Sequence, residues 1–301
     1  MKILIIGAKG FIGSHCVSYF SQDHEVWQCD IVVDYTTPNY IFLEEPKSDY
    51  REIFEAHLFD VCINCSGAAS VPDSIAHPQH DFNLNVVSVF KQLDALRIHC
   101  LQCRYIHISS AAVYGNPKIL PISENHALAP ISPYGKHKKM AEDICEEFYS
   151  QFGVRSCSLR VFSTYGPGLK KQLFWDLYKK QLLGKNIELY GTGKESRDFI
   201  YVTDLVEAIH CIIQKAEFMG QAINVAYGEE LTIKEVVSLF CKQQNASIGT
   251  TFLGKHRQGD PKNWVANIEM LKQMGYVQNL SLIHISEPTR RTIPSRMPTS
   301  A

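Results

Sequence analysis

The feature that most constrains this chain lies at its start. An apolar run, Lys2–Ile6, stops at Gly7-Ala-Lys-Gly10-Phe11-Ile12-Gly13, and Phe11–Phe20 then takes up helical periodicity. A strand, a glycine loop and a helix in that order place three separate demands on the backbone. The first glycine permits a tight turn, the second lets a pyrophosphate approach the main chain, and the third lets helix pack on strand. Unpaired N–H groups at the helix start, aided by its dipole, favour a diphosphate by ~1 kcal/mol or more. The loop therefore points to a dinucleotide held by Gly7, Gly10, Phe11, Ile12 and Gly13. Asp30 closes the next apolar run, Glu25–Asp30. A carboxylate there accepts both ribose hydroxyls and repels a 2′-phosphate, which favours NAD over NADP. Lys9, inside the loop, is expected to be a solvated lysine that leaves this preference intact.

Strand and helix signals then alternate through residue 160. Buried-strand runs recur at 61–65, 105–109 and Ser156–Val161, with helical stretches at 82–99 and 134–152 between them. Repeated strand–helix units predict an α/β fold, a doubly wound parallel sheet of the Rossmann type with ligands at the carboxyl ends of its strands. Beyond Arg160 the pattern is richer in glycine, proline and aromatic residues. Tyr165-Gly-Pro-Gly168 and Tyr190-Gly-Thr-Gly193 read as turns, and helices are expected at 172–183, Val202–Lys215, 232–243 and 266–276. The expected division is a dinucleotide-binding domain over 1–162, completed by later segments, and a smaller interleaved substrate lobe over 163–279. Residues 280–301 lose apolar periodicity, and LSLIHISEPTR resembles the translation of a common DNA-sequencing adaptor. That stretch is expected to be a non-native tail, with the natural chain continuing past about residue 280 into one more helix.

Bulk composition narrows the class. A formal net charge of −1 over 301 residues gives no electrostatic footprint for nucleic acid or an anionic membrane. No apolar run reaches the ~18 residues of a membrane span, and no signal peptide precedes the first strand, so a cytoplasmic enzyme is expected. Cys62-Ile-Asn-Cys65 and Cys100-Leu-Gln-Cys103 have zinc-like spacing. In a parallel sheet, however, the end of one strand and the start of the next lie at opposite edges, too far apart for four bonds of ~2.3 Å to one metal. Reduced structural thiols and no metal are expected.

Tyr134-Gly-Lys-His-Lys138 puts a phenol and an amine four residues apart, hence on one helix face. A phenol with pKa ~10 is a poor base near neutrality, and bringing it to pH 7 requires ~4 kcal/mol of preference for the phenolate. An ammonium ~4 Å away supplies about that much where the dielectric is near 20. Ser-Pro precedes Tyr134, and upstream lies Ile108-Ser-Ser-Ala-Ala-Val-Tyr-Gly115, whose Ser109 and Ser110 follow an apolar strand at the sheet's carboxyl edge. Ser110, Tyr134 and Lys138 are the expected catalytic trio. Read alone, either serine could be a strand-end cap.

This combination resembles the extended short-chain dehydrogenase/reductases, the NAD-dependent epimerase/dehydratase family, and within it the UDP-glucose 4-epimerases, over roughly residues 1–280. Asn64-Cys-Ser66-Gly67-Ala68, Asn85-Val86, Arg160-Val-Phe-Ser163-Thr-Tyr-Gly-Pro167, Arg197-Asp-Phe-Ile-Tyr-Val-Thr-Asp204 and Arg257-Gln-Gly-Asp260 carry the likeness further. The resemblance implies that Ser66, Gly67 and Asn85 meet the cofactor. It also implies that Arg197 and Arg257 clamp a substrate diphosphate, a role suited to guanidinium forks, with a surface ion pair as the competing reading. Ser163 stands where the family often has asparagine and is a further expected substrate contact. The Asp-Ile/Leu pair that usually meets the adenine has no clear counterpart, Asp49-Tyr50 being badly spaced. Trp264 aligns with a position whose bulk limits the sugar 2-substituent, unless it is simply a packed core residue. A homodimer through the helices near 82–99 and 134–152 is implied as well.

Related 4,6-dehydratases carry Asp-Glu after the catalytic hydroxyl, whereas Ala111 and Ala112 stand here. Without a second acid/base pair an elimination has no proton path. The expected reaction is 4-epimerisation of a nucleoside-diphosphate hexose of the UDP-glucose/UDP-galactose type through a transient 4-keto sugar. The alternatives are an NAD(P)H-dependent reductase of a nucleotide-linked 4-keto sugar, or a non-catalytic nucleotide-binding protein.

Overall fold

The structure is a computed structural model that describes residues 1–44, 49–183, 186–243, 249–255 and 257–279. The expected tail at 280–301 lies outside the described residues. In chain order the first half runs β1 (Lys2–Ile6), α1 (Phe11–Phe20), β2 (Glu25–Asp30), β3 (Tyr40–Phe42), α2 (Tyr50–Ala56), β4 (Val61–Asn64), α3 (Val71–Ala76), α4 (Pro78–Phe82), a π-helical turn (Asn83–Val87), α5 (Ser88–His99), β5 (Arg104–Ser110), a 3₁₀ turn (Ala111–Tyr114) and α6 (Pro133–Phe152). The second half runs β6 (Ser156–Val161), β7 (Ser163–Tyr165), α7 (Gln172–Leu182), β8 (Ile187–Leu189), β9 (Ser196–Arg197), β10 (Phe199–Tyr201), α8 (Val202–Lys215), β11 (Met219–Val225), β12 (Leu231–Thr232), α9 (Ile233–Gln243), β13 (Thr250–Phe252) and α10 (Glu269–Gln273).

Seven strands form one parallel sheet in the order β3-β2-β1-β4-β5-β6-β11. Alternation along β1 shows why both faces are covered. Ile3 and Ile5 join a core built with α1 and α8, while Leu4 and Ile6 join a second core built with α2, α5 and α6. A strand buried on both sides reads as an unbroken apolar run, as Lys2–Ile6 does. Strand order reverses between β1 and β4, so their carboxyl ends open a crevice, the place where ligands bind in such sheets. A third core, including Tyr165, Phe174, Leu177, Phe199 and Phe240, holds the smaller lobe together with three two-stranded ribbons.

Two helical expectations need correction. The stretch 82–99 is not one regular helix: α4 and α5 are joined by a π turn that turns Asn85 and Val86 inward. Such turns insert an extra residue and re-aim side chains, commonly at functional sites. The stretch 266–276 is helical only at Glu269–Gln273. Before it, Ala266 bridges to Ile122 and gives its N–H to Asp198, and after it Gly275 takes φ +91°, which ends the turn.

A buried ion pair ties the sheet to α6. Arg160 on β6 meets the Glu142 carboxylate at 2.8 Å, Ser109 donates to the same carboxylate at 2.5 Å, and Arg160 also donates to the Tyr114 hydroxyl at 2.9 Å. Tyr114 passes its own proton to Asn224 of β11 at 2.7 Å. Each member has a partner, the condition under which a buried charge is tolerated. Replacing Glu142 by Gln keeps the shape but leaves the Arg160 charge uncompensated; urea unfolding should show a loss of about 3–5 kcal/mol.

Candidate active site

The crevice between β1 and β4 is cut to admit backbone rather than side chains. Gly7 takes φ +77°, and a Cβ there would lie 2.7 Å from the Ser66 nitrogen. A Cβ on Gly13 would lie 2.0 Å from the Gly7 carbonyl oxygen, so only glycine lets α1 start this close to β1. Gly10 caps α1 with no side-chain hydrogen bond, which leaves the helix start open to an anion. The Asp30 carboxylate accepts the Lys9 N–H at 2.8 Å and the Val32 N–H at 3.2 Å, which leaves it further acceptor capacity. Lys9 is not a free loop lysine: its ammonium pairs with Asp34 at 2.6 Å and lies 5.0 Å from the Tyr40 ring centre.

On the other side of the crevice, Ser66 gives both its N–H and its hydroxyl to the Asn64 side chain. Gly67, at φ +114°, leaves a notch: a Cβ there would sit 2.6 Å from Asn85 Oδ1 and 3.6 Å from Lys138 Nζ. Asn85 is 1% exposed, yet neither of its amide atoms has a hydrogen-bond partner in the protein. A buried amide without partners costs ~1–3 kcal/mol, so its presence beside the glycine notch fits a polar ligand. These residues suit a dinucleotide. Asp49, by contrast, caps α2 by accepting the Arg51 N–H, and Tyr50 is buried against Ser88.

α6 begins with Ser132, whose hydroxyl accepts the Gly135 N–H at 3.1 Å, and Pro133 at the first turn. A Cβ on Gly135 would lie 2.6 Å from the Ala112 carbonyl oxygen. That glycine lets the helix rest on the turn after β5, and the Tyr134 phenol reaches the Ser110 hydroxyl as a result. Ser74 of α3 fixes the helix start by accepting the Tyr134 N–H at 3.1 Å. Ser110 also accepts the Ala112 N–H at 3.2 Å, so its capping job and its place in the trio coexist. Lys138 is 4% exposed and donates to the Ile108 carbonyl at 2.9 Å.

The protonation balance differs from the simple expectation of a phenol acidified by its lysine. Burial pushes Tyr134 up to about 12; the Ser110 hydrogen bond works against that and the Asp81 charge adds to it. Burial pulls Lys138 down to about 8, opposed by the Asp81 and Glu142 charges. Desolvation of the phenolate is thus the largest effect on Tyr134, and Ser110 is the group that opposes it. A cationic ring bound in the Asn85–Gly67 notch is what would favour the phenolate.

Further residues fall in two places. Arg197 donates to the Ser196 and Lys262 carbonyls and lies 5.5 Å above the Trp264 ring, while Arg257 lies 4.8 Å from the ring of Tyr190. Both guanidiniums act on Asp260, whose carboxyl burial raises and the two arginines lower. Trp264 gives its indole N–H to the Gly115 carbonyl at 3.0 Å and packs in the core, the plainer of its two readings, where it supports Arg197. Ser163 starts β7 and gives its N–H to the Asp198 carbonyl at 3.0 Å. The cysteines are free thiols and separate as the strand geometry requires: Cys65 lies near Cys16 beyond β4, while before β5 Cys100 donates to the Phe59 carbonyl and Cys103 to the Arg104 carbonyl. No group of three or more metal-ligating side chains gathers among the described residues.

The sequence did not reveal Asp81 and His137, which meet at 2.5 Å behind the trio, nor the Glu142 bridge. Asp81 lies far upstream of Tyr134, and no local spacing connects them. His137 stood in plain view between Lys136 and Lys138 without a partner to give it meaning.

Comparison with known proteins agrees with this geometry. Residues 3–226 match the model of the NAD dependent epimerase/dehydratase family. An uncharacterized UDP-glucose epimerase of Bacillus subtilis is 30% identical over 294 residues, covering 91% of this chain and 92% of its own length. Among solved structures, the UDP-N-acetylglucosamine 4-epimerase of Methanobrevibacter ruminantium superposes with a TM-score of 0.86 at 26% identity, over 95% of this chain and 96% of that one. The UDP-glucuronic acid 4-epimerase of Bacillus cereus, crystallised with UDP-glucuronic acid and NAD, also gives 0.86 at 26% identity, over 96% and 97%.

The tight seat of Gly135 yields a direct test. Gly135→Ala should lower stability by about 1–3 kcal/mol, read by thermal melting, because its methyl group forces α6 off the Ala112 carbonyl.

Proposed function

Because the chain belongs to the NAD-dependent epimerase/dehydratase family, we propose that it is a 4-epimerase of a nucleoside-diphosphate hexose of the UDP-glucose/UDP-galactose type. The observation that carries the reading is the junction of α6 with β5. There Tyr134, whose phenol the Ser110 hydroxyl favours in its ionised form, stands one helical turn from Lys138, whose amine lies at the Gly67 notch. Ala111 and Ala112, both buried, stand where a second acid/base pair would be needed for dehydration.

Gly7, Gly10, Phe11, Ile12 and Gly13 would hold the NAD diphosphate, Asp30 would take the adenosine ribose, and Ser66, Gly67 and Asn85 would meet the nicotinamide end. NAD, when bound, supplies the hydride acceptor and donor at sugar C4. Tyr134 takes the proton of the sugar 4-hydroxyl and later returns it, with Ser110 hydrogen-bonding the same oxygen. Lys138, fixed on the Ile108 carbonyl, binds the nicotinamide ribose and keeps a positive charge beside the phenolate. Arg197 and Arg257 hold the substrate diphosphate while the 4-keto sugar turns over, with Ser163 at the entrance to the lobe. With NAD bound, return of the hydride to the opposite face would leave no net oxidation.

The homodimer implied by the family has a matching surface. α5 and α6 pack together, and Phe90 flanks Phe148 at 5.3 Å, which in turn meets Phe152 at 5.2 Å. Phe82 at the end of α4, Phe90 of α5, and Met140 and Phe152 of α6 expose apolar area on these packed helices. A second copy of the chain covers it in this proposal. Phe90→Asp should convert the dimer to a monomer at micromolar concentration, seen by analytical ultracentrifugation; a wild-type monomer would remove the idea.

The decisive experiment incubates the purified protein with UDP-galactose and with UDP-glucose, without added cofactor. Interconversion together with NAD released on denaturation is expected, and Tyr134→Phe should lower the rate by about 10²–10⁴-fold. Stoichiometric consumption of NAD(P)H by a 4-keto sugar would instead identify the reductase, and unaltered output from Tyr134→Phe would identify a binding protein.

A further inference from the structure

Asp81 on α4 is a buried ionisable group beside the trio that the proposed reaction does not use; His107 on β5 is another, 1% exposed and without a hydrogen-bond partner, its pKa pushed down by burial and by the Lys138 charge. Asp81 is 2% exposed; one carboxylate oxygen lies 2.5 Å from His137 Nδ1, and the other has no hydrogen-bond partner. α4 packs on α6, where Tyr134, His137, Lys138 and Glu142 lie along the inward side, and on α3, whose one ionisable group is the exposed Asp73. The π turn that follows α4 contributes no ionisable side chain, while His77 and His80 of the α3–α4 segment are exposed. Glu142 is already committed to Arg160 and Ser109. Lys138 is committed to a neutral carbonyl, and among the described residues no carboxylate pairs with it. Asp81, held by His137 on the same helix as the amine and the phenol, is the α4 carboxylate whose charge acts on both.

We propose that Asp81, anchored by His137, is a positioning residue whose buried charge sets the pH window in which the Tyr134–Lys138 couple works. The anchor matters because a lone carboxylate at 2% exposure would otherwise turn toward solvent or take up a proton. His137 supplies the fixed contact, is itself wedged edge-on against Phe82 at 5.4 Å, and retains a thin exposed edge. The physical effect on the couple has one sign. A fixed negative charge stabilises the lysine ammonium and destabilises the tyrosine phenolate, so removing it lowers the pH at which each loses its proton. The charge thus holds the ammonium on Lys138 against the pull of burial.

This rests on the trio being the reacting group, but its test does not need turnover. Lysines labelled with ¹³C at Cε are followed by NMR across pH, with Lys138 assigned by its disappearance in Lys138→Met. In the wild type Lys138 should titrate near pH 8. Asp81→Asn should bring that midpoint down by about one pH unit, and Asp81→Glu, which keeps the charge, should restore it. If Asp81→Asn does not fold, Asp81→Thr removes the same charge and is read in the same way. An unmoved midpoint in a folded neutral variant overturns the proposal, as does equal displacement by Asn and Glu, which would mean repacking. With UDP-galactose as substrate, both limbs of the rate–pH profile should move to lower pH in Asp81→Asn. Lack of turnover in every variant would instead count against the epimerase assignment and leave the NMR result to judge Asp81.

Discussion

The active geometry depends on how closely one helix can approach the end of one strand. α6 reaches the 3₁₀ turn after β5 because Gly135 presents no side chain to the Ala112 carbonyl, and both partners of the trio follow from that contact. Tyr134, one residue earlier, meets Ser110; Lys138, one turn later, passes under the strand to the Ile108 carbonyl. The rest of the architecture keeps this junction in place. Ser132 and Ser74 fix the helix start, Glu142 pins the next turn to Arg160, and the sheet order places the glycine loop across the crevice. A tyrosine base needs its lysine at a set depth, and here that depth is fixed by main-chain contact rather than by the long side chain itself.

Much of this was legible because the signals are local. Strands β1, β2 and β6 and helices α1 and α8 coincide with runs visible in the sequence, since a strand buried on both faces and an amphipathic helix each leave a periodic trace. β11 was not visible. Met219–Val225 follows a helix and a positive-φ residue, Phe218, its first residues are only partly buried, and it is the edge strand that closes the sheet beside β6. An edge strand half covered by its neighbours has neither a continuous apolar run nor clean alternation. The π turn was hidden for a different reason: nothing in Asn-Leu-Asn-Val-Val distinguishes an extra residue in a turn from an ordinary helix, and only the burial of Asn85 gives it away.

The site divides in the same way. The glycines, Asp30, Ser110, Tyr134 and Lys138 could be proposed from sequence because each sits in a short motif whose spacing suggests a chemistry. Asp81, Glu142 and Ser74 could not, because what they do is done across elements. Ser74 serves α6 from α3, Glu142 gathers two strands, and Asp81 faces the trio from α4. Electrostatics was the least readable part. Counting only the Tyr134–Lys138 pair suggests an acidified phenol, yet burial of that same phenol is the largest effect on it and has the opposite sign.

The loop pair around Lys9 has a consequence for the far end of the cofactor cleft. The amide of Lys9 holds Asp30 and its amine holds Asp34, so two carboxylates surround a single ammonium where the adenosine ribose is expected. Among the described residues no ammonium or guanidinium pairs with Asp30. Rejection of a phosphorylated ribose at such a spot works through the field, whose reach in solution is only about 8 Å at physiological ionic strength. Selectivity between the two nicotinamide dinucleotides should therefore weaken as salt is added, whereas a pocket that discriminated by lack of room would be indifferent to it.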